Sequence, residues 1–260
     1  MQSVIENAIL TLREKKPLVH CMTNNVANLR VADVLSALGA SPLMTNSIDE
    51  VGVIATNADA LTVNIGMVIA EQFQAMLMAI QAAKANNRPF VLDPVAHFAS
   101  PYRSQCVKKI LEQKPQIIRG NASEIISLVG VSQGRGVDSA NSVESAVLAA
   151  NTLAIQQNCV VAVSGHSDFI TNGKQAVWVD GGHPLMERLS ALGCALTGVI
   201  GAFAAIAPSF EATIAAHSVF AVAGKLAVRK ADGPGSFYVE FCDYLYKLTA
   251  KDIVNEVCLR

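Results

Sequence analysis

The sequence predicts an α/β domain built on a mostly parallel sheet, with helices on both faces. Three observations carry that prediction. Short β-rich runs alternate with longer helical patterns through the first two thirds of the chain. Apolar residues make up 52 % of the 260 residues and charged residues only 16 %, which leaves little material for disorder. Much of the apolar share is Ala and Val, as buried parallel strands and closely packed helices require.

The β-rich runs lie at 18–21, 42–44, 60–65, 90–92, 117–119 and 160–164. Helical patterns fall between or after them at 26–38, 48–56, 68–85, 102–113 and 143–157. Strand, helix, strand in regular succession is the signature of βαβ units. Ser47-Ile48-Asp49-Glu50 fits a capping box, and Asn141 followed by Glu144 is similar. Runs at 169–171 and 175–180 then flank Asn172-Gly173, a hairpin signal. The last third reads as helices at 194–207, 212–228 and 237–248. The apolar stretch 192–208 is broken by Gly193, Gly198 and Gly201 and is short for a membrane span, so a buried helix is expected. With no linker, low-complexity segment or internal repeat, one domain over residues 1–260 is expected.

Several function classes are disfavoured. The formal net charge is −1 with no basic block, which argues against a nucleic-acid or polybasic membrane partner. The start, Met1-Gln2-Ser3 with Glu6 and Glu14 following, does not read as a signal peptide. Six scattered cysteines without a Cys-x-x-Cys pair point to reduced thiols and a cytoplasmic setting. The five histidines show no metal-ligand spacing.

In open α/β sheets, ligands bind beyond the carboxyl ends of the strands. Polar residues and glycines cluster there: Cys21-Met22-Thr23-Asn24, Asn64-Ile65-Gly66, Asp93-Pro94, Arg119-Gly120-Asn121 and Ser164-Gly165. Two readings stand side by side for most of them. Asn121-Ala122-Ser123-Glu124 is a capping box; its Glu124 is also suited to organise hydrated magnesium, which keeps most of its waters. Asp93 is either a turn or cap residue or a second magnesium-directed carboxylate. Ser190-Ala191-Leu192-Gly193-Cys194 leads into a helix whose first N–H groups suit a phosphoryl group. Cys194 is there either a thiol of lowered pKa or a small buried residue. Gly134-Arg135-Gly136-Val137-Asp138 reads as a solvated loop. Gly233-Pro234-Gly235-Ser236 reads as a rigid turn before the last helix, whose glycines would let backbone approach a nucleotide.

Taken in order, these segments resemble the hydroxyethylthiazole kinase family. The matching runs are Pro17-Leu18-Val19-His20-Cys21-Met22-Thr23-Asn24, Leu38-Gly39-Ala40-Ser41-Pro42-Leu43-Met44, Asn64-Ile65-Gly66, Leu92-Asp93-Pro94-Val95, Ile118-Arg119-Gly120-Asn121-Ala122-Ser123-Glu124-Ile125, Gly193-Cys194 and Gly233-Pro234-Gly235-Ser236-Phe237. The resemblance implies a ribokinase-like three-layer α/β/α sandwich without a lid. It implies a homotrimer with active sites between subunits. It also implies ATP-dependent phosphorylation of 4-methyl-5-(2-hydroxyethyl)thiazole with Mg2+, in thiamine salvage. Carried over by motif, Asn24 and Met44 contact the thiazole, with backbone at Ala191 and Gly193 close to it. Arg119 and Ser164 contact ATP, and Asp93 and Glu124 organise magnesium. Gly193 and Cys194 receive the moving phosphoryl, Cys194 standing where many ribokinase relatives carry an aspartate base.

Three departures bear on rate and substrate choice. The run Ala191-Leu192-Gly193-Cys194 stands where the family usually has Gly-Thr-Gly-Cys. Ser164 stands where a threonine is usual, and Ala96-His97-Phe98 replaces small, glycine-containing sequence. Two alternatives therefore stay open. One is another ribokinase-like vitamin-precursor kinase, of hydroxymethylpyrimidine or pyridoxal type. The other is a weakly active or non-catalytic thiazole-binding homologue.

Overall fold

The computed structural model describes residues 1–130 and 142–260. The loop expected at Gly134–Asp138 and the cap expected at Asn141 lie outside them. Among the described residues, one sheet contains β1 (Leu18–Met22), β2 (Ser41–Leu43), β3 (Ala60–Asn64), β4 (Phe90–Asp93), β5 (Ile117–Asn121), β6 (Val160–Ser164), β7 (Ser167–Thr171), β8 (Ala176–Asp180) and β9 (Cys258–Leu259). The order across the sheet is β2-β1-β3-β4-β5-β6-β7-β8-β9. The first six positions pair in parallel. The last three strands are added antiparallel.

Helices cover both faces. One face carries α1 (Gln2–Lys15), α2 (Asn28–Leu38), the short α8 (Pro184–Glu187), α9 (Leu192–Ala204), α10 (Ser209–Val228) and α11 (Pro234–Lys247). Ile9, Leu35, Val199, Phe203, Phe220 and Phe241 fill that core against Val19, Val91, Ile117 and Ala162 of the sheet. The opposite face carries α3 (Val51–Asn57), α4 (Ala70–Ala85), α5 (Pro101–Leu111), α6 (Ala122–Leu128) and α7 (Val143–Gln157). There Phe73, Ile80, Val107, Ile125 and Leu153 pack on Leu61, Leu92, Ile118 and Val161. Adjacent strand residues such as Val91 and Leu92 thus face opposite layers, as the period of two demands. Both neighbours must be apolar, which is why these strands read as unbroken apolar runs rather than alternating ones.

Several expectations need correction. Ser47 does not cap α3. The helix begins at Val51, and Glu50, instead of reaching back to Ser47, accepts a hydrogen bond from Thr45 Oγ1. Ser142, one residue beyond the expected Asn141, caps α7 by accepting the Ser145 N–H at 3.3 Å. The hairpin expected at Asn172-Gly173 is present, β7 and β8 pairing antiparallel, with Asn172 Oδ1 accepting the N–H groups of Lys174 and Gln175. α9 and α10 start earlier than their expected bounds, at Leu192 and Ser209. Gly233 and Pro234 are the cap and first residue of α11 rather than a separate turn, because Ser236 Oγ accepts the N–H groups of Asp232 and Gly233. α11 is not the last element either: α12 (Ala250–Glu256) and β9 follow it.

α1 was not anticipated, although Ile5, Ala8, Ile9 and Leu12 form a helical stripe that is buried. Its Arg13 guanidinium donates to the carbonyls of Leu245, Tyr246 and Leu248, where α11 ends and its acceptors are otherwise unpaired. The expected buried helix is α9, whose residues from Ala195 onward are all buried. α10 is long and apolar enough to cross a bilayer by length and composition, but 78 % of its apolar window is buried inside this fold.

Candidate active site

The sheet gathers the polar strand ends along one edge. Asn64 and Asp93 are register partners on β3 and β4, as are Asn121 and Ser164 on β5 and β6. Period two does the rest. Asp93, Arg119 and Ser164 each lie two residues beyond an apolar residue of the α9-side core, namely Val91, Ile117 and Ala162. They therefore emerge on the same face, beneath the start of α9.

Asn64 is the hub of this cluster. Its amide nitrogen donates to Asp93 Oδ2 at 2.8 Å and approaches Cys194 Sγ at 3.2 Å. Its oxygen accepts the Asn24 amide at 3.1 Å and the Gly66 N–H at 2.9 Å. All four hydrogen-bonding positions of the side chain are thus used. Asn24 itself approaches Cys194 Sγ at 3.6 Å, and its oxygen accepts the Ala27 N–H at the entry to α2. Three residues expected at the site, Asn24, Asp93 and Cys194, are joined through a fourth, Asn64, which the sequence places among the polar strand ends without a role. The signal for it was present: an amide ending a β-rich run, next to Gly66.

Asp93 is fully buried. It neither caps a helix nor shapes a turn through its side chain. Oδ2 accepts from Asn64 and from Thr197 Oγ1 of α9 at 2.9 Å, and lies 3.9 Å from Arg119 Nη1. Burial pushes its carboxyl up, to about 7; Arg119 opposes the rise and Glu124 adds to it. Oδ1 has no partner among the described residues.

Arg119 Nη2 donates to Ser164 Oγ, which joins the two residues expected at ATP. The guanidinium also lies against the first turn of α9. A Cβ on Gly193 would come 2.9 Å from Nη1 and Nη2, so any side chain there would push the guanidinium aside. The first N–H groups of this helix lack intrahelical acceptors. A guanidinium and a helix N-terminus thus converge on one place, and both favour an anion.

Ala191, the N-cap of α9, has φ +64°. That left-handed conformation suits glycine and costs an alanine ~1 kcal/mol. Leu192 is buried in the α9-side core rather than lining the site. Of the two readings of Cys194, the thiol of lowered pKa is the one that fails. Its thiol is pushed up to about 12, chiefly by burial and next by Asp93, against the opposing effects of Arg119, Asn64 and Asn24. The helix N-terminus does not make it a thiolate, because burial and the neighbouring carboxyl outweigh it.

Glu124 closes the capping box with Asn121, accepting its N–H at 2.8 Å while Asn121 Oδ1 accepts the Glu124 N–H at 2.9 Å. Its other oxygen accepts the N–H of Ala96 at 3.0 Å. Ala96 also has positive φ, +47°. His97 Nε2 lies 3.1 Å from the Glu124 carbonyl. Glu124 therefore clasps the loop after β4 to the start of α6, a second structural task besides the cap. Met44 stands apart, half-buried just past β2, with no hydrogen bond into the cluster among the described residues.

Magnesium fits the donors present. A buried carboxylate oxygen of Asp93 is unpartnered, and the neighbouring Glu124 keeps lone pairs beyond its two N–H partners. Among the described residues no group of three or more His, Cys, Asp and Glu could cage a metal ion. A hard cation that brings its own waters and phosphate oxygens suits such a site.

The sheet order, the helices on its two faces and the strand-end cluster define a ribokinase-like α/β/α fold. A ribokinase-like superfamily protein from Enterococcus faecalis shares the fold, with a TM-score of 0.67 at 11 % identity over 96 % of this chain and 95 % of that one. Residues 9–251 match the Hydroxyethylthiazole kinase family, and the chain belongs to that family. A hydroxyethylthiazole kinase of Rhizobium etli is 52 % identical over 240 residues, covering 91 % of this chain and 93 % of that protein. The solved structure of the hydroxyethylthiazole kinase protein from Pyrococcus horikoshii superposes with a TM-score of 0.92 at 32 % identity, over 99 % and 98 % of the two chains.

Proposed function

We propose that the chain transfers the γ-phosphoryl group of ATP to the primary hydroxyl of 4-methyl-5-(2-hydroxyethyl)thiazole, acting as one kinase domain. The observation that carries this reading is the cluster of Asn24, Asn64, Asp93 and Cys194 beneath the N-terminus of α9, in a chain of this family. Arg119 and Ser164 hold the nucleotide's phosphates. The Gly193 and Cys194 N–H groups receive the γ-phosphoryl as it moves. Asp93 and Glu124 would hold hydrated magnesium, which when bound would offset phosphate charge. Asn24 and Met44 contact the thiazole, beside the backbone of Ala191 and Gly193.

The hydroxyl oxygen forms the new bond to phosphorus as the bond to ADP breaks. Its proton leaves late in a loose transition state, to a phosphate oxygen and then to water, so transfer asks little of a base. Cys194, protonated and addressed by two amides, orients the hydroxyl more than it deprotonates it. Its removal slows turnover without abolishing it.

The working unit in this reading is a cytoplasmic homotrimer with sites between subunits. Support comes from exposed apolar residues beside the strand ends: Val26 and Leu29 after β1, Met67 and Ile69 after β3. Met44 follows β2, the outermost strand on that side of the sheet, where a second copy would complete the pocket. Light scattering should give three times the 27.4 kDa chain mass, and a fully active monomer would contradict shared sites. The activity itself is tested by ADP release with magnesium, with and without the thiazole alcohol. Release should depend on the alcohol. Equal release without it, or none with it, would overturn the proposal.

A further inference from the structure

We infer that the buried His217 and its partner Asp168 form a positioning pair that presets the nucleotide end of the site, although neither touches the reacting atoms. The inference rests on the proposal that Ser164 and Arg119 contact ATP.

His217 lies midway along α10 and has no exposed surface. Its Nδ1 stands 2.6 Å from Asp168 Oδ2. A carboxylate only accepts, so Nδ1 carries the proton. Nε2 then has no partner among the described residues. The other Asp168 oxygen accepts the N–H of Gly165 at 2.9 Å. Gly165 directly follows Ser164, whose hydroxyl meets Arg119. A line of contacts therefore runs from the centre of α10 through Asp168 and the Gly165 N–H to the residues at the phosphates.

The same turn is held from other sides. The Gly182 N–H donates to the His166 carbonyl at 2.9 Å. Gly165 lies so close to Val143, at the start of α7, that a Cβ would come within 2.6 Å of its side chain. The turn after β6 is thus fixed by β7, by the segment after β8 and by α7 at once.

Packing alone does not call for a histidine here. The neighbours of His217 along α10 are mainly Ala, Val, Ile and Phe, and an apolar side chain would avoid burying an unpartnered nitrogen. Asp168 does not need it either, because its side chain is partly exposed and reaches water. What the histidine adds is direction. It fixes the carboxylate so that one oxygen always faces Gly165. A turn ordered before the nucleotide arrives loses less freedom on binding, and that saving appears as affinity.

The test compares His217→Leu, which removes the donor, with His217→Asn, which keeps an N–H at the Nδ1 position. Calorimetry with a non-hydrolysable ATP analogue and magnesium, and separately with the thiazole alcohol, reads both ends of the site on the intact chain. His217→Leu should weaken the nucleotide analogue about tenfold, the scale of one lost orienting hydrogen bond. Thiazole affinity should hold, and His217→Asn should restore most of the nucleotide affinity. A lower melting temperature with unchanged nucleotide affinity would overturn the inference and leave the pair purely structural. If His217→Leu fails to fold, Asp168→Ala carries the same expectation, and unchanged nucleotide affinity there overturns it equally. Wild-type chain that binds no nucleotide would overturn the kinase reading and this inference with it. Wild-type binding matched by both variants would overturn the inference alone.

Discussion

The Asn64 amide bonds the Asp93 carboxylate at 2.8 Å across two neighbouring strands, and the same nitrogen reaches Cys194. One side chain thus fixes the distance between the acidic and the thiol side of the cluster. Asn64→Ala would leave Asp93, Asn24 and the Gly66 N–H each short of a partner. Unpairing buried groups costs ~1–3 kcal/mol. Loss of geometry at the transferring group should lower kcat by ~10²-fold. ATP affinity, which the proposed function assigns to Arg119 and Ser164, should change little. Steady-state kinetics with calorimetry of the ATP analogue checks this; a fall in ATP affinity matching the fall in kcat would assign Asn64 to nucleotide binding instead.

Asp93 gives the protein a pH signature. Its carboxyl sits near 7 in the folded chain because of burial, above the usual carboxylate value of 3.8. Between those values the folded state holds a proton that the unfolded chain has lost. The native state therefore binds more protons, and stability falls as pH rises through that window. The slope contributed approaches ~1.4 kcal/mol per pH unit. Without magnesium, the melting temperature should drop as the pH is raised from about 5 to about 7. Asp93→Asn should flatten that drop. An equal drop in the variant would place its origin elsewhere.

Glu124 serves two backbone N–H groups with two oxygens. Glutamine has one acceptor oxygen and would turn an amide donor toward the other N–H. Glu124→Gln should therefore cost ~1–3 kcal/mol of stability. It should also raise the magnesium requirement and lower kcat while thiazole binding holds. Lost stability with normal turnover and normal magnesium dependence would leave Glu124 only its clasp.

Ala191 carries left-handed backbone into the first turn of α9. Ala191→Gly relieves ~1 kcal/mol of local strain, while the greater freedom of unfolded glycine returns a similar amount. The melting temperature should hardly move. If the strain tilts the Gly193 and Cys194 N–H groups, kcat should rise several-fold, within the ~10²–10³ that one well-placed donor is worth. Ligand dissociation constants should stay put. Replacing Leu192 as well would hollow the core, so the single change is the cleaner experiment. An unchanged kcat would mean that the N–H groups are already in place.

Much of this was legible in the sequence because parallel strands buried on both faces are conspicuous. Polar residues ending those strands had to share one edge once the order β1, β3, β4, β5, β6 was set. What was not legible depended on side-chain geometry between distant segments. The helix position of Cys194 left a thiol of lowered pKa and a small buried residue both open, and its burial beside Asp93, Arg119 and Asn64 depends on three separate strands. The clasp of Glu124 on Ala96 and the pairing of His217 with Asp168 join residues 28 and 49 positions apart. The Ser47 box failed because Thr45, two residues earlier, competes for Glu50. α1 was missed although its apolar stripe is regular, and α12 and β9 are short elements beyond the helix taken as last.

The most direct test of the account is kcat/KM for three alcohols with ATP and magnesium, the phosphate ester being identified by mass. They are 4-methyl-5-(2-hydroxyethyl)thiazole, the hydroxymethylpyrimidine of the related kinases, and pyridoxal. The thiazole alcohol should be preferred by ~10²-fold or more, since a site built around other polar groups leaves them unpaired with the wrong substrate. Equal or better use of pyridoxal or the pyrimidine, or no thiazole phosphate at all, would contradict it.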